Sequence, residues 1–210
     1  MRLLLIGATG GTGAQVLHQA LDRGHDVTAL VRSPGKLAAS HPRLTVCKGD
    51  VLDQTSVATA TAGQQAVLST LGHRQFLRPT RILSEGTRNI LLAMQANGVT
   101  RLVCETSLGV GTSWGRLGLL YTLLVVPFIL PFYYYDKGRQ EKVIKASSVD
   151  WTIVQPGILT DDPARGVYRH GAGVGRWIAS VRIARADVAA FMLTELTARR
   201  YVRQVVEVAY

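Results

Sequence analysis

Three glycines stand near the start of the chain, Gly7, Gly10 and Gly13, each three residues from the next. The apolar run 3–6 before them predicts a buried strand, and the apolar spacing over 16–21 after them predicts a helix. In such a strand–turn–helix unit, glycine lets the backbone approach a ligand, and the free N–H groups of the helix N-terminus attract phosphate. The spacing G-x-x-G-x-x-G therefore predicts a dinucleotide-phosphate site, with a tight turn that binds no ligand as the alternative.

A second predicted strand, residues 25–31, is followed by Arg32 and Ser33, with Lys36 close behind. At this strand end of a dinucleotide fold, an acid binds the 2′-hydroxyl of NAD, whereas an arginine accommodates the 2′-phosphate of NADP. Asp26 lies at the other end of the strand, so an acid does not occupy the position. Because the guanidinium fork suits a phosphate, we predict NADP(H) in preference to NAD(H). The alternative is a solvated surface arginine.

Two further polar side chains follow predicted strands. Asp50 comes after the third strand, where its carboxylate could accept a hydrogen bond from an adenine amino group. Asp50 and Asp53 also precede a helical stretch, so a helix N-cap is an equal alternative. His73 comes after the fourth strand and could act as an acid or base, although a lone loop histidine is more often solvated.

The rest of the chain alternates between strand and helix patterns. This alternation predicts an α/β fold, a Rossmann-type doubly wound parallel sheet in a single domain over 1–210. Ligands of such sheets bind beyond the carboxyl ends of the strands. The predicted strands cover 44–48, 65–70, 100–105, 151–155 and 204–209, and the predicted helices cover 81–96, 137–146 and 187–197.

Composition limits the functional classes. The 210 residues are 47% hydrophobic and carry a formal net charge of +10, mostly from dispersed arginine. We find no basic tail, zinc-type spacing or RNA-binding motif, so we predict neither a nucleic-acid partner nor a metal site. Cys47 and Cys104 each fall within a predicted strand and are interpreted as small buried hydrophobic residues. The chain begins directly with a strand pattern, and we predict a reducing, cytoplasmic location.

The stretch 117–135 is almost entirely apolar and carries no charge. Its length approaches that of a membrane span, but Pro127 and Pro131 interrupt it, so we do not predict a transmembrane helix. Three alternatives remain open: a buried helix and loop, an apolar lid over a substrate pocket (118–135), or an exposed patch for a partner subunit or a bilayer surface. We interpret 156–183 as a substrate-side segment.

Five sequence blocks together resemble a known family, the atypical short-chain dehydrogenase/reductases with an NAD(P)H-binding domain. This group includes NmrA-like proteins and the small biliverdin-IXβ and flavin reductases. The resemblance covers essentially the whole chain. It rests on GATGGTG at 7–13, VRSP at 31–34, GDV at 49–51, ASSVDWTIVQPGILTD at 146–161 and ARADVAAFML at 184–193.

The resemblance implies a cofactor site assembled from the ends of several strands. By resemblance, the phosphates would be held by Gly7, Thr9, Gly10, Gly11 and Thr12, and the 2′-phosphate by Arg32 with Ser33 beside it. The adenine would lie against Asp50 and Val51, and the central ribose against Leu71 and Gly72. The nicotinamide would be flanked by Pro156, Gly157 and Ile158.

The resemblance also implies a catalytic group. Short-chain dehydrogenases use a serine with a Y-x-x-x-K pair, in which the tyrosine donates a proton and the lysine lowers its pKa. Tyr133 and Lys137 have this spacing, and Ser107 follows the fifth strand, where the serine is expected. The run of three tyrosines could supply the spacing by chance. In that case solvent or the substrate would supply the proton, as the resemblance to flavin and biliverdin reductases implies.

The sequence thus predicts an NADPH-dependent oxidoreductase. A pocket walled by leucine, phenylalanine and tyrosine favours a hydrophobic or aromatic small molecule, such as a quinone, a flavin or a polyketide-like ketone. The alternatives are a non-catalytic NmrA-like dinucleotide-binding regulator and an NAD(P)-dependent isomerase, epimerase or dehydratase. A homodimer is left open.

Overall fold

A computed structural model describes residues 1–73, 75–76 and 78–210 of the chain. Ten strands form two sheets, and six α-helices flank them. The strands are β1 Arg2–Ile6, β2 Asp26–Val31, β3 Leu44–Lys48, β4 Ala66–Ser69, β5 Arg101–Glu105, β6 Asp150–Pro156, β7 Ile158–Thr160, β8 Arg169–Gly171, β9 Arg182–Ala184 and β10 Gln204–Ala209. The helices are α1 Gly11–Asp22, α2 Gln54–Thr61, α3 Ile82–Ala96, α4 Val126–Phe128, α5 Pro131–Lys145 and α6 Arg185–Ala198.

The main sheet has eight strands in the order β3-β2-β1-β4-β5-β6-β10-β8. All neighbours are parallel except β8, which runs antiparallel to β10 at the edge. The strand order reverses between β1 and β4, which opens a crevice at their carboxyl ends. The predicted α/β, Rossmann-type doubly wound sheet is therefore confirmed.

Both faces of the sheet are covered by helices. Leu3 and Leu5 of β1 point to one face, where they join a core with α1 and α6, while Leu4 and Ile6 point to the other face. This second face packs against α2, α3 and α5. Successive side chains of a strand alternate between faces, so a strand buried on both sides must be apolar throughout, as the run 3–6 is.

Two regions differ from the sequence prediction. Helix α5 begins at Pro131, six residues before the predicted start at Lys137, because proline is well tolerated in the first turn of a helix. The stretch after Gly157, which lies between the predicted strands 151–155 and 204–209, contains β7, β8 and β9. Each of these strands has only three residues, too few to produce a readable hydrophobic period.

Candidate cofactor and substrate site

Two glycines of the turn after β1 are required by packing. Gly7 has φ +91°, and a Cβ there would lie 2.6 Å from the carbonyl oxygen of Thr70. A Cβ at Gly13 would lie 2.0 Å from the carbonyl oxygen of Gly7. The turn therefore folds back on itself only because both positions lack side chains.

Gly10 serves a different purpose. It is the N-cap of α1, and a Cβ there would meet only the Gly7 carbonyl oxygen, at 3.3 Å, with open space beyond. Within α1, all of whose residues are described, the first turn has neither a side-chain cap nor an acidic residue. The N–H groups at this helix end and the positive end of its dipole thus face an open cradle of the kind that a phosphate occupies.

The two threonines of the turn point in different directions. Thr9 is exposed beside the cradle. Thr12 is buried, and its hydroxyl donates a hydrogen bond to the Glu105 carboxylate at 3.1 Å. The contribution of Thr12 to a bound phosphate is therefore its backbone N–H, while its side chain ties α1 to the end of β5.

Arg185, which the sequence analysis did not single out, lies across Gly11. A Cβ at Gly11 would be 2.7 Å from Cδ and Nε of this side chain. The Arg185 guanidinium donates to the Asp161 carboxylate at 2.6 Å and remains about a quarter exposed. It places a cation beside the glycine turn, although it lies far from that turn in the sequence. The sequence signal that could have found it is the block ARADVAAFML at 184–193, which carries the family resemblance and contains Arg185.

The residues predicted for the adenosine end lie at the strand ends as expected. Arg32, Ser33 and Lys36 are exposed directly after β2. Asp50 is half-buried after β3, and its Oδ1 accepts the backbone N–H of Leu52 at 2.9 Å.

The N-cap of α2 is Asp53, not Asp50. Its carboxylate accepts the backbone N–H of Thr55 at 3.1 Å and that of Ser56 at 3.3 Å. Of the two alternatives for Asp50, the helix cap therefore belongs to its neighbour, and a hydrogen bond from an adenine amino group stays a prediction.

The residues predicted to contact the central ribose and the nicotinamide are mostly small or buried, so they would present their backbone to a cofactor. Val51 and Leu71 are buried and pack on Gly86 of α3, where a Cβ would lie 2.8 Å from Val51 and 3.1 Å from Leu71. Gly72 is exposed, Pro156 and Gly157 are buried, and Ile158 is half-buried. Val51 follows β3, Leu71 and Gly72 follow β4, and Pro156 to Ile158 lie at the end of β6, so all of them lie at the carboxyl edge of the sheet.

Lys137 and Tyr133 lie one turn apart on α5 and face this edge. Lys137 is fully buried, and its Nζ donates to the carbonyl oxygens of Leu71 and Glu105, each at 3.2 Å. The same Nζ lies 5.6 Å from the centroid of the Tyr133 ring. The Tyr133 hydroxyl lies 3.7 Å from the position of a Cβ on Gly72. The predicted tyrosine–lysine pair thus meets beside the loop that follows β4.

Ser107 contacts Tyr134, the residue that follows Tyr133 on α5. Its hydroxyl lies 3.0 Å from that of Tyr134, which also donates to the Leu108 carbonyl oxygen at 3.2 Å. Burial raises the pKa of Tyr134, and the hydrogen bond from Ser107 only partly offsets this effect. The structure therefore pairs Ser107 with Tyr134 and Lys137 with Tyr133.

His73 belongs to an aromatic wall over Tyr133. The two rings meet edge to face with centroids 5.0 Å apart, and Phe76 packs on Tyr133 at 5.7 Å. His73 Nε2 lies 3.0 Å from the Thr80 hydroxyl. Because burial lowers the pKa of His73, the ring is neutral at pH 7. The histidine is half-buried rather than freely solvated, and this wall favours a flat apolar ligand.

Glu105 is a second group that the sequence analysis missed. Its carboxylate is buried at the end of β5, and burial raises its pKa while the positive charge of Lys137 opposes that rise. Cys104, its neighbour, is also buried, whereas Cys47 is only half-buried. Burial raises the pKa of the Cys104 thiol to about 11, so it is an inert packing group.

The apolar stretch 117–135 lies next to this site. A π-helical segment, Tyr121–Val125, leads through α4 into α5. Tyr121 is half-buried on the side of Tyr133, while Leu120 and Phe128 are exposed. No helix among the described residues has the length and apolarity needed to cross a bilayer.

Comparison with known proteins gives one family and several relatives. The model of a family described as NAD(P)H-binding matches residues 7–199. A chloroplastic protein of Arabidopsis thaliana is 32% identical over 174 residues, 79% of this chain and 61% of that protein. A 3-beta-hydroxysteroid dehydrogenase of Mycolicibacterium neoaurum is 36% identical over 119 residues, 50% of this chain. The chain spans 32% of the length of that dehydrogenase.

Solved structures extend the likeness to the whole chain. ChuY, an anaerobilin reductase from Escherichia coli O157:H7, superimposes with a TM-score of 0.82 at 26% identity. The match covers 100% of this chain and 97% of that one. A putative epimerase from Bacteroides thetaiotaomicron matches with a TM-score of 0.79 at 25% identity.

Proposed function

Because the chain belongs to the NAD(P)H-binding family, we propose that it is an NADPH-dependent reductase of the atypical short-chain dehydrogenase type, acting on a hydrophobic or aromatic small molecule. The observation that supports this most is the open cradle at Gly10, which has Arg185 on one side and leads to the pair Tyr133 and Lys137. A nicotinamide dinucleotide bound there would supply the hydride.

The residues along the carboxyl edge fit the parts of such a cofactor. The N–H groups of the α1 N-terminus and the guanidinium of Arg185 would bind the pyrophosphate. Arg32, exposed after β2, would bind a 2′-phosphate. The exposed backbone at Gly72 leaves room for the central ribose.

We assign to Tyr133 the role of donating a proton to the substrate as the hydride is transferred. Its hydroxyl is beside Gly72, and the Lys137 ammonium lies 5.6 Å from the centroid of its ring, one helical turn along α5. Tyr134 is less suited, because its hydroxyl already donates to a backbone carbonyl and burial raises its pKa. The wall formed by His73, Phe76 and Tyr133 would exclude water and orient a flat acceptor.

A titration and a turnover screen test this function. Purified protein is titrated with NADPH and NADH, and NADPH oxidation is then followed with quinones, flavins, bilins and aromatic ketones. We expect tighter binding of NADPH and turnover with at least one planar acceptor class. Tight binding without turnover would favour the non-catalytic regulator, and lack of dinucleotide binding would refute the proposal.

A variant of Arg32 tests the cofactor preference. Arg32→Ala should weaken NADPH binding by about tenfold or more, because it removes a charge-assisted phosphate contact. NADH binding should barely change. Equal losses for both dinucleotides would remove Arg32 from the 2′-phosphate site.

A further inference from the structure

One side of the molecule exposes a continuous run of large apolar side chains. From Trp114 to Tyr135, nine large apolar or aromatic side chains are exposed, at steps of one to five residues, and Leu120 and Phe128 are 71% and 72% exposed. Isolated exposed apolar residues are common, but a continuous run marks an interaction site. We call the exposed side chains of 114–135, together with Trp177 and Ile178, the apolar surface.

A second segment joins this surface by close backbone contact. Leu117 forms a β-bridge with Arg176, and the rings of Trp114 and Trp177 meet edge to face with centroids 6.3 Å apart. The approach depends on Gly115, whose φ is +84° and where a Cβ would lie 2.2 Å from the Trp177 ring. Ile178, 92% exposed, is thereby carried next to the run 114–135.

Exposed arginines border the apolar surface, although Arg116 within it pairs with the buried Glu207 carboxylate at 2.6 Å. Arg116 is the only charged residue from 106 to 135, and the segment 163–186 contains five arginines and no acid. Of these, Arg176 and Arg182 are exposed on either side of Ile178. The whole chain has a formal net charge of +10. A partner that covers this surface must therefore accept apolar side chains at its centre and supply negative charge at its rim.

We propose that the apolar surface docks peripherally on an anionic lipid bilayer. Leucine, isoleucine and phenylalanine would enter the acyl boundary, and Trp114 and Trp177 would lie at the headgroup level, where indole rings are enriched. The neighbouring arginines would pair with anionic headgroups. The surface lies on the membrane and does not cross it, since no helix in the described part of the chain could span a bilayer.

Docking in this orientation would bring the candidate site to the bilayer. The segment that carries Leu120 and Leu124 on its outer side carries Tyr121 on its inner side, where Tyr121, Tyr134 and Ile158 pack against one apolar cluster. A hydrophobic acceptor dissolved in the membrane would then reach the aromatic wall without crossing water. This last step rests on the proposed reductase function, whereas the docking itself does not.

Vesicle flotation tests the docking without any substrate. Vesicles of equal parts phosphatidylcholine and phosphatidylglycerol should carry the protein, and vesicles of phosphatidylcholine alone should carry much less. The double variant Leu120→Ser/Phe128→Ser should bind about tenfold more weakly or worse, because two apolar side chains no longer leave water. Val167→Ser is the matched control, since Val167 is 80% exposed outside the apolar surface.

Tryptophan emission gives an independent readout. Trp151 is buried, so a blue shift on adding anionic vesicles reports on Trp114 and Trp177, and Trp114→Phe/Trp177→Phe should abolish the shift. Circular dichroism and NADPH affinity verify that the variants are folded. Equal flotation of the wild type and Leu120→Ser/Phe128→Ser would overturn the proposal. A vesicle-independent dimer that dissociates in that double variant would overturn it too, because the surface would then bind a second copy.

Discussion

Two adjacent tyrosines, Tyr133 and Tyr134, have opposite environments on the same helix. The hydroxyl of Tyr134 is buried and bonded to Ser107 and Leu108. Tyr133 lies beside Gly72, with the Lys137 ammonium 5.6 Å from its ring. Successive residues of a helix point about 100° apart, so one faces the packed loop after β5 and the other faces the carboxyl edge.

This difference yields a prediction for two matched variants. Tyr133→Phe should lower kcat for a carbonyl substrate by about 10²–10⁴-fold with unchanged NADPH affinity, because it removes a proton donor. Tyr134→Phe should leave kcat within a few-fold of wild type and cost about 1–2 kcal/mol of stability, because it removes the hydrogen bonds of the hydroxyl with Ser107 and Leu108. Steady-state kinetics and urea unfolding measure both. Wild-type turnover in Tyr133→Phe would shift the proton source to solvent or substrate.

Arg185 allows a second prediction at the residue scale. Arg185→Met keeps the aliphatic contact with Gly11 but removes the charge beside the turn, so the Kd for both NADPH and NADH should rise about tenfold. Binding of 2′-phosphoadenosine, which lacks the pyrophosphate, should not change. Asp161→Asn frees the guanidinium from its partner and should tighten NADPH binding. Calorimetric titration measures all three. Equal NADPH affinity in Arg185→Met would place the pyrophosphate elsewhere.

At the scale of elements, the β1–α1 unit contains two glycines with different surroundings. Gly10 faces open space, whereas Gly13 packs against the backbone of Gly7. The same residue type thus leaves an open cradle at one position and permits close backbone packing at the other. The hydrogen bond from Thr12 to Glu105 then fixes α1 over the end of β5.

The two glycines should respond differently to substitution. Gly10→Val should abolish NADPH binding with unchanged helix content, since its side chain would fill the cradle. Gly13→Ala should lower the melting temperature or prevent folding, because its Cβ would lie 2.0 Å from the Gly7 carbonyl oxygen. Thermal unfolding and fluorescence titration distinguish the outcomes. Retained NADPH affinity in a folded Gly10→Val protein would refute the phosphate assignment.

At the scale of the whole molecule, two oppositely charged groups are buried at the carboxyl edge of the sheet. The Glu105 carboxylate accepts from Thr12 of α1, and Lys137 of α5 donates to the Glu105 backbone oxygen. Burial raises the pKa of Glu105 above its ordinary value of 4.5. The folded state therefore binds this proton more tightly than the unfolded state. Its contribution to stability is present below about pH 4.5 and is lost as the pH rises through the raised pKa.

Glu105→Gln tests this linkage. The amide keeps an oxygen that can accept from Thr12 but has no charge to desolvate. The variant should be more stable than the wild type at pH 7, and the difference should shrink as the pH falls toward 4.5. Urea unfolding at several pH values measures it. A variant less stable than wild type at pH 7 would mean that attraction to Lys137 outweighs desolvation.

The sequence by itself determined the features that depend on local pattern. The run 3–6, the glycine spacing and the apolar helix faces define a βα repeat, and the parallel sheet follows because alternating units can bury their faces in few ways. The position of Arg32 after β2 was predicted for the same reason, because a strand end is a local feature. The predicted bounds of α3 and α6 agree with the structure within two residues, whereas α5 begins six residues earlier than predicted.

Only the tertiary structure decided which distant side chains meet. The Y-x-x-x-K spacing already singled out Tyr133 for Lys137, but the sequence also grouped Ser107 with them, and only the tertiary structure shows that Ser107 meets Tyr134 instead. Arg185 reaches Gly11 only because α6 lies beside α1 on one face of the sheet. Such contacts join residues far apart in the chain, and a local hydrophobic period carries no information about which elements will become neighbours.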